Sequence, residues 1–522
     1  MFHIGHLNLL RRAKERCDYL IVGVSTDKLV ESYKHKRPIV PFEERIAIVE
    51  AIKYVDQVIA QENMDKYEAW KKLQFDAVFH GDDWKGSNMY NEVEKKLASV
   101  GVDMVFLPHT DGTSSTLLSE KLKKYKRDIV EIVGTDRCCG CRACVQVCPK
   151  EAVTVITDKY GFEQVQVDDK KCVNCGICKA VCPIINQNKN DGRFSCGSAY
   201  CKDESIRKWG SSGGLFGLFS RMIVRQGGVV YGAAFDENLR LRVTRAETIN
   251  ELESLYKSKY LLCNTLGSFE KIRRDLDTGR FVLYCSSPCQ ISALKNYLRK
   301  GYNNLLCIEF VCHGVGGQKQ FDDSIKFIER KREIKILNFV FRDKYKSASS
   351  HYYRLEYQDL STGKFQTKRD IYMTFPYYYA YQDRITCRKI CYSCPYATEN
   401  RVGDITIGDF HRVNHYEPDI DRFSGVSMFV CNTKNGEDFF KSMQQHLIIK
   451  EYDWDVIKMN NRFSGIETPP AYRIDYLSLV ANNQMEKAYK KYLNYKMDWR
   501  YYYYHLPGFL RRIGNKILRR AK

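Results

Sequence analysis

Cys138-Cys139-Gly140-Cys141-Arg142-Ala143-Cys144-Val145-Gln146-Val147-Cys148-Pro149 decides the reading of this chain, because its spacing returns at Cys172, Cys175, Cys178 and Cys182, followed by Pro183. Each run is C-x2-C-x2-C-x3-C-P, the spacing by which thiolates from one tight loop converge on a 4Fe-4S cubane. The fourth Cys of each run, Cys148 or Cys182, is expected to ligate the cluster of the other run. Zinc ribbons also use C-x2-C pairs, but four thiolates satisfy a zinc ion and leave no use for a third and fourth Cys at this spacing, repeated once. Cys139 is the spare thiol and reads as a bystander. Residues 130–190 are therefore an electron-carrying module. Its two cluster loops flank a hairpin predicted over residues 152–157 and 162–167, turning at Lys159-Tyr160-Gly161.

With 522 residues, 44% of them hydrophobic, the chain has material for two to four domains. Twenty-one Cys would mark a disulfide scaffold in a small secreted protein. Here eight of them serve clusters and no signal peptide is seen, which points to the reducing cytoplasm of an anaerobic organism. No run of 18 apolar residues occurs, so no membrane-spanning helix is expected. The net charge of +20 is uneven: residues 485–522 hold 11 Lys and Arg against Glu486 and Asp498. No zinc-finger, helix-turn-helix or RNA-binding signature accompanies it, so nucleic acid is not an expected partner. An acidic membrane surface or a phosphorylated substrate fits better. Leu506, Phe509, Leu510, Ile513 and Ile517, set among Arg511, Arg512, Lys516 and Arg519, form a basic amphipathic stretch suited to peripheral membrane contact. A solvated basic helix packed on the preceding domain is the alternative.

Residues 1–125 alternate strand-like runs (19–24, 75–80, 102–107) with helical ones (43–53, 89–100), the pattern of a doubly wound α/β domain. Residues 121–127 read as a charged linker. His3-Ile4-Gly5-His6 opens a helical segment, and two His one turn apart at a helix start donate to phosphates where the helix dipole already favours negative charge. With Ser25-Thr26-Asp27, Pro41-Phe42-Glu43-Glu44-Arg45, Gly81-Asp82-Asp83-Trp84 and Gly112-Thr113-Ser114-Ser115-Thr116, this domain resembles the glycerol-3-phosphate cytidylyltransferase-like nucleotidyltransferases. The resemblance implies that His3, His6, Lys34 and Lys36 stabilise charge on the phosphates of Mg-bound CTP as pyrophosphate leaves, with Ser114, Ser115 and Thr116 on the nucleotide. It further implies transfer of CMP to a polyol phosphate, in cell-surface polysaccharide or teichoic-acid-like biosynthesis. Two departures stand out. The family places a first strand and a Gly-Thr-Phe-Asp loop before the His pair, where this chain has Met1 and Phe2; an amino-terminal truncation is expected, with the natural start about a dozen residues upstream. His109 replaces the usual Arg before Thr110. A domain kept only for packing is the alternative.

Residues 195–460 mix α and β. Gly210-Ser211-Ser212-Gly213-Gly214, Ser258-Lys259-Tyr260, Ser287-Pro288-Cys289-Gln290, Val311-Cys312-His313-Gly314, Cys391-x2-Cys394-Pro395 and residues 403–409 resemble the beta subunit of coenzyme F420-reducing hydrogenases and dehydrogenases, a family of FAD and iron-sulfur proteins. The loop before an apolar helix over residues 215–224 suits an FAD diphosphate, so Ser212, Gly213 and Gly214 are the expected contacts, with Lys259 adding positive charge near flavin or substrate. Cys387, Cys391 and Cys394 supply three thiolates for a third 4Fe-4S cluster, and Cys289 or Cys312 is the fourth; buried strand-end thiols are the alternative for those two. His313 is a candidate proton donor, and Asp404 and Asp409 are candidates to contact flavin or substrate. No G-x-G-x-x-G follows a strand, so electrons are expected from a ferredoxin-type donor and not from docked NAD(P)H. Residues 461–522 read as a basic aromatic tail.

The whole is an α/β multidomain, cytoplasmic chain: a doubly wound nucleotidyltransferase-like domain, a module resembling bacterial dicluster ferredoxins, and a mixed α/β flavin/iron-sulfur reductase. The expected substrate of the reductase is a phosphorylated or nucleotide-linked small molecule. A deazaflavin oxidoreductase with an inactive nucleotidyltransferase domain and a flavin-free electron carrier are the competing readings.

Overall fold

The computed structural model describes residues 2–34, 38, 40–82, 85–86, 88–108, 110, 128–190, 192–345, 351–411, 416, 424–460, 463 and 468–506, and divides into two units, Met1–Arg127 and Asp128–Lys522. In the first, β1 (Ile21–Ser25) pairs in parallel with β2 (Gln57–Gln61), and β3 (Ala77–Gly81) with β4 (Asp103–Leu107). The single doubly wound sheet expected from the sequence is thus, among the described residues, two separate two-stranded sheets. No strand pairing among the described residues joins the two sheets. A side-chain cluster connects them instead: Ala13 of the helix Ile4–Lys14 packs with Leu20 and Leu107, and Val22, Phe79 and Val105 pack around these three.

In the second unit the expected hairpin forms from β5 (Val153–Thr157) and β6 (Glu163–Val167). Asp158 closes its turn by accepting from the backbone N–H groups of Tyr160 and Phe162, both at 2.9 Å. The main sheet takes β7 (Ser195–Cys201), β8 (Val229–Phe235), β9 (Leu241–Ala246), β10 (Val282–Ser286) and β11 (Leu305–Phe310). A separate antiparallel sheet follows, made of β12 (Ile334–Asp343), β13 (Tyr352–Asp359) and β14 (Phe365–Ile371). The chain then returns to the main sheet with β15 (Ile405–Asp409), β16 (Ser427–Cys431) and β17 (Leu447–Glu451), giving the order β17-β7-β16-β15-β11-β10-β8-β9. Its centre, β8, β10, β11 and β15, is parallel.

Parallel strands buried on both faces read as continuous apolar runs, and these do. Val229, Tyr231, Val282, Tyr284, Leu305 and Cys307 enter one core with the helices Ser268–Asp277 and Pro288–Leu298. Val230, Leu283, Leu306 and Ile308 enter the other with the helix Leu215–Arg225. Each such side chain contributes roughly 1.5–3 kcal/mol on leaving water.

Two boundaries differ from the sequence reading. Val133, Ala143, Val181 and Ile184 of the cysteine module sit in the first of those cores, so residues 130–190 and 195–460 share one hydrophobic body. The stretch expected as a tail from 461 is also part of the fold. Tyr476, Leu477, Val480, Met485, Ala488 and Leu493, from the helices Arg473–Ala481 and Met485–Tyr492 and the residue after them, join the core that contains Phe321, Ile325 and Ile328. Their apolar residues recur at helical spacing and pack against the helix Gln318–Arg332. Residues 507–522, which carry most of the amphipathic stretch, lie outside the described residues. Among the described residues no helix is long and apolar enough to cross a membrane.

Candidate functional site

The parallel strands run to one cavity of about 260 Å³, lined by Gly232 of β8, Cys285 and Ser286 of β10, Phe310 of β11 and Asp409 of β15. These are carboxyl ends, where open α/β sheets take ligands. The loop over residues 210–214 forms part of the wall, and the helix Leu215–Arg225 begins there without a side-chain cap, leaving its first-turn N–H groups to a ligand. Ser212 Oγ donates to the Val426 carbonyl at 2.8 Å, and Ser427 Oγ accepts from Gly213 N–H at 2.9 Å. Ser212 and Gly214 line the cavity. Gly213 does not: it is turned against β7 and β16, where a Cβ would meet the Ala199 carbonyl oxygen at 2.5 Å and Ser427 N at 2.7 Å.

Lys259 also lines the cavity, donating to the carbonyls of Ser254 at 3.0 Å and Tyr256 at 2.5 Å. Burial lowers its pKa to about 7. A second lysine escaped the sequence reading because it belongs to no motif. Lys344 donates to the carbonyls of Arg207 (2.7 Å), Ser212 (2.5 Å) and Ser424 (2.8 Å), tying the Ser/Gly loop to a distant segment, and burial lowers it to about 7 as well. Burial alone would raise the Asp409 carboxyl, yet Arg342, 2.5 Å away, holds it down to about 2. Arg342 also reaches the Ser211 carbonyl, so Asp409 faces the cavity as part of an ion pair. His313 lines the same wall, its carbonyl and ring bonded by Arg384. Asp404 does not line it; its carboxylate accepts from Cys307 N–H at 2.7 Å and Thr433 Oγ1 at 2.8 Å, joining strands.

The cysteines fall into three groups. Cys138, Cys141, Cys144 and Cys182 line one small cavity, and Cys148, Cys172, Cys175 and Cys178 another, each run lending its fourth Cys to the other. Cys289, Cys312, Cys391 and Cys394 line a third. The sequence grouped Cys387 with Cys391 and Cys394; in the structure Cys289 and Cys312 both share the cavity with those two, and Cys387 does not line it. Cys387 is buried in the core with Tyr377, Tyr381 and Ile385. It packs against Gly314, whose φ of +99° only glycine adopts readily and where a Cβ would meet Cys387 Sγ at 2.9 Å. Cys139, read as a bystander, lines the first and third cavities together.

These groups fit iron-sulfur clusters. Burial first, and then neighbouring thiols, push Cys144 and Cys312 well up, Cys391 to about 12 and Cys394 to about 11. Irons that take up thiolates offset that cost. Among the described residues no three His, Cys, Asp or Glu side chains form a group that could hold a single metal ion. Nε and Nη1 of the buried Arg142, which lines the first cavity, have no hydrogen-bond partner among the described residues, and neither do those of Arg388, whose Nη2 donates to the Cys138 carbonyl. Donors of this kind suit an anionic cluster.

In the first unit His3 caps the helix Ile4–Lys14, accepting from Gly5 N–H at 3.2 Å, while His6 Nδ1 accepts from His3 N–H at 3.3 Å. The two rings lie 3.9 Å apart at the helix start. Arg45 joins two of the sequence motifs by donating to the Ser25 carbonyl and pairing with Asp27. The Lys34 side chain, Lys36, His109, Ser114, Ser115 and Thr116 lie outside the described residues.

Residues 1–121 match a family model described as cytidylyltransferase-like, residues 137–184 a 4Fe-4S dicluster domain, and residues 279–455 the C terminus of the coenzyme F420 hydrogenase/dehydrogenase beta subunit. The chain is 35% identical to the glycerol-3-phosphate cytidylyltransferase of Staphylococcus aureus over 129 residues, covering 24% of this chain and 90% of that one. It is 34% identical to the Bacillus subtilis enzyme of that name, covering 23% and 89%, and 32% identical to the FAD synthase of Thermococcus sibiricus, covering 25% and 89%. Among solved structures it is similar to a chain of the F420-reducing NiFe hydrogenase complex of Methanosarcina barkeri, at 14% identity and a TM-score of 0.31, covering 57% of this chain and 91% of that one.

Proposed function

Over its first 121 residues the chain belongs to the cytidylyltransferase-like family, and since it also carries iron-sulfur and F420 hydrogenase/dehydrogenase beta-subunit domains, we propose that it is a fusion of a CMP-transferring enzyme with an iron-sulfur flavoprotein oxidoreductase. The reductase takes electrons from a ferredoxin-type donor and reduces a phosphorylated or nucleotide-linked small molecule, in the biosynthesis of a surface polymer.

One observation carries the redox reading: Cys312 is part of the wall of both the third thiol cavity and the large cavity at the strand ends. A cluster held by Cys289, Cys312, Cys391 and Cys394 therefore adjoins whatever that cavity binds. FAD bound there supplies the exchange between one-electron iron-sulfur centres and two-electron reduction of a substrate. The chain's own part is positional. The Ser/Gly loop and the start of the helix Leu215–Arg225 present N–H groups to a diphosphate, and Lys257 and Lys259 on the cavity wall add positive charge beside it. Tyr260 and Tyr381, stacked at 4.6 Å, form an apolar wall that excludes water, and His313, oriented by Arg384, supplies a proton. In the first unit, His3 and His6 at the helix start stabilise pyrophosphate as it leaves CTP.

Protein purified anaerobically with added FAD is expected to release stoichiometric FAD on denaturation. Retention of iron without any FAD would return the chain to the electron-carrier reading. The affinity should fall between about pH 6 and 9: Lys259 and Lys257 are charged below their pKa values of about 7 and about 8 and neutral above them, so attraction for the diphosphate is lost as pH rises. Fluorescence titration checks this, and an affinity independent of pH would count against the two lysines. For the other activity, His6→Ala is expected to slow pyrophosphate release from CTP and glycerol phosphate by about a hundredfold or more. Unchanged release would remove the His pair from the chemistry.

A further inference from the structure

Cys139 stands where two thiol groups meet. It lines the first cavity beside Cys138, Cys141, Cys144 and Cys182, and the third beside Cys289 and Cys312. Only 7% of it is exposed. On those two walls its neighbours include Cys141 in the first and Cys289 in the third, one a member of each group. The C-x2-C spacing gives it no part in ligation, and the ferredoxin-like module needs no fifth thiol in that loop.

We propose that Cys139 is a positioning residue that couples the first and third thiolate sites, its S–H donating to a ligand sulfur of one or the other. The proposal rests on the reading of both groups as 4Fe-4S sites. A thiol carries one proton and so serves one acceptor at a time. Hydrogen bonds to ligating sulfurs help set the reduction potential of a cluster, because they stabilise the extra negative charge of its reduced form. Donation to Cys141 therefore favours the electron on the first site, and donation to Cys289 favours it on the third. When one electron passes between the sites, the Cys139 proton stays on its own sulfur and only its acceptor changes; no bond to sulfur forms or breaks. The polarisable sulfur also fills the space between the two cavities, which a shorter side chain would open.

The second site, with Cys148, Cys172, Cys175 and Cys178, does not include Cys139 and serves as an internal reference. The experiment compares full-length iron-loaded protein with Cys139→Ala and Cys139→Ser, measuring iron content and the midpoint potentials by anaerobic redox titration with electron paramagnetic resonance. Both variants are expected to keep about twelve irons, three cubanes of four. Relative to the second site, the first-site and third-site potentials should fall in Cys139→Ala, where the donor is gone, and recover in Cys139→Ser, where a hydroxyl replaces it. Potentials unchanged in Cys139→Ala with all iron retained would overturn the proposal, as would loss of four irons, which would make Cys139 a ligand. If the unsubstituted protein itself gives no third-site signal, the functional reading fails instead.

Discussion

Cys312→Ala is expected to lower the iron bound after anaerobic reconstitution from about twelve atoms per chain to about eight, whereas Cys387→Ala should leave about twelve. The contrast comes from the loop over residues 312–314. Cys312 joins Cys289, Cys391 and Cys394, while Gly314 packs against Cys387 and keeps that thiol in the aromatic core. Since Cys312 also lines the large cavity, its loss should separate the remaining clusters from the FAD proposed to bind there, whose reduction through the ferredoxin-like module should then slow. Iron and acid-labile sulfide assays decide the matter. Four irons lost from Cys387→Ala and none from Cys312→Ala would restore the ligand set that spacing alone suggests.

The second large effect is on stability. Glu309, at the end of β11 and fully buried, accepts from Arg401 Nε, from Thr406 Oγ1 at 2.8 Å and from the backbone N–H groups of Val402 and Gly403 at 3.1 and 3.0 Å. Every lone pair of that carboxylate is used. Glu309→Ala leaves the buried Arg401 guanidinium without its counter-charge and two backbone donors unmet, a loss of about 3–5 kcal/mol. Natural domains are stable by only about 5–15 kcal/mol, so the variant should accumulate poorly and unfold at much lower denaturant. Replacing both partners by apolar residues of similar volume, Glu309→Leu with Arg401→Met, should recover most of the loss, since an ion pair taken out whole leaves no orphaned charge. Anaerobic urea titration of the three proteins measures the difference. A single variant within about 1 kcal/mol of the unsubstituted protein would show the pair to be solvated.

What the residues declare locally, the sequence alone determined. The C-x2-C-x2-C-x3-C-P runs, the hairpin between them and the His pair at a helix start each depend on contacts within a few residues, where backbone geometry leaves little choice. Boundaries and long-range partners were not legible in this way. Residues after 461 were read as a tail because their charge and aromatics dominate the composition, yet Tyr476, Leu477 and Met485 are core residues once the helix Gln318–Arg332 is present to receive them. Spacing placed Cys387 with Cys391 and Cys394, but the strand order of the sheet brings Cys289 and Cys312 to those two. Lys344 carried no motif; its function as a clasp exists only because the fold sets it beside carbonyls 132 and 80 residues away. The tertiary structure alone also placed Cys139 between two thiol groups. Convergence of this kind is set by which strands neighbour one another and which faces are buried, and no spacing along the chain encodes it.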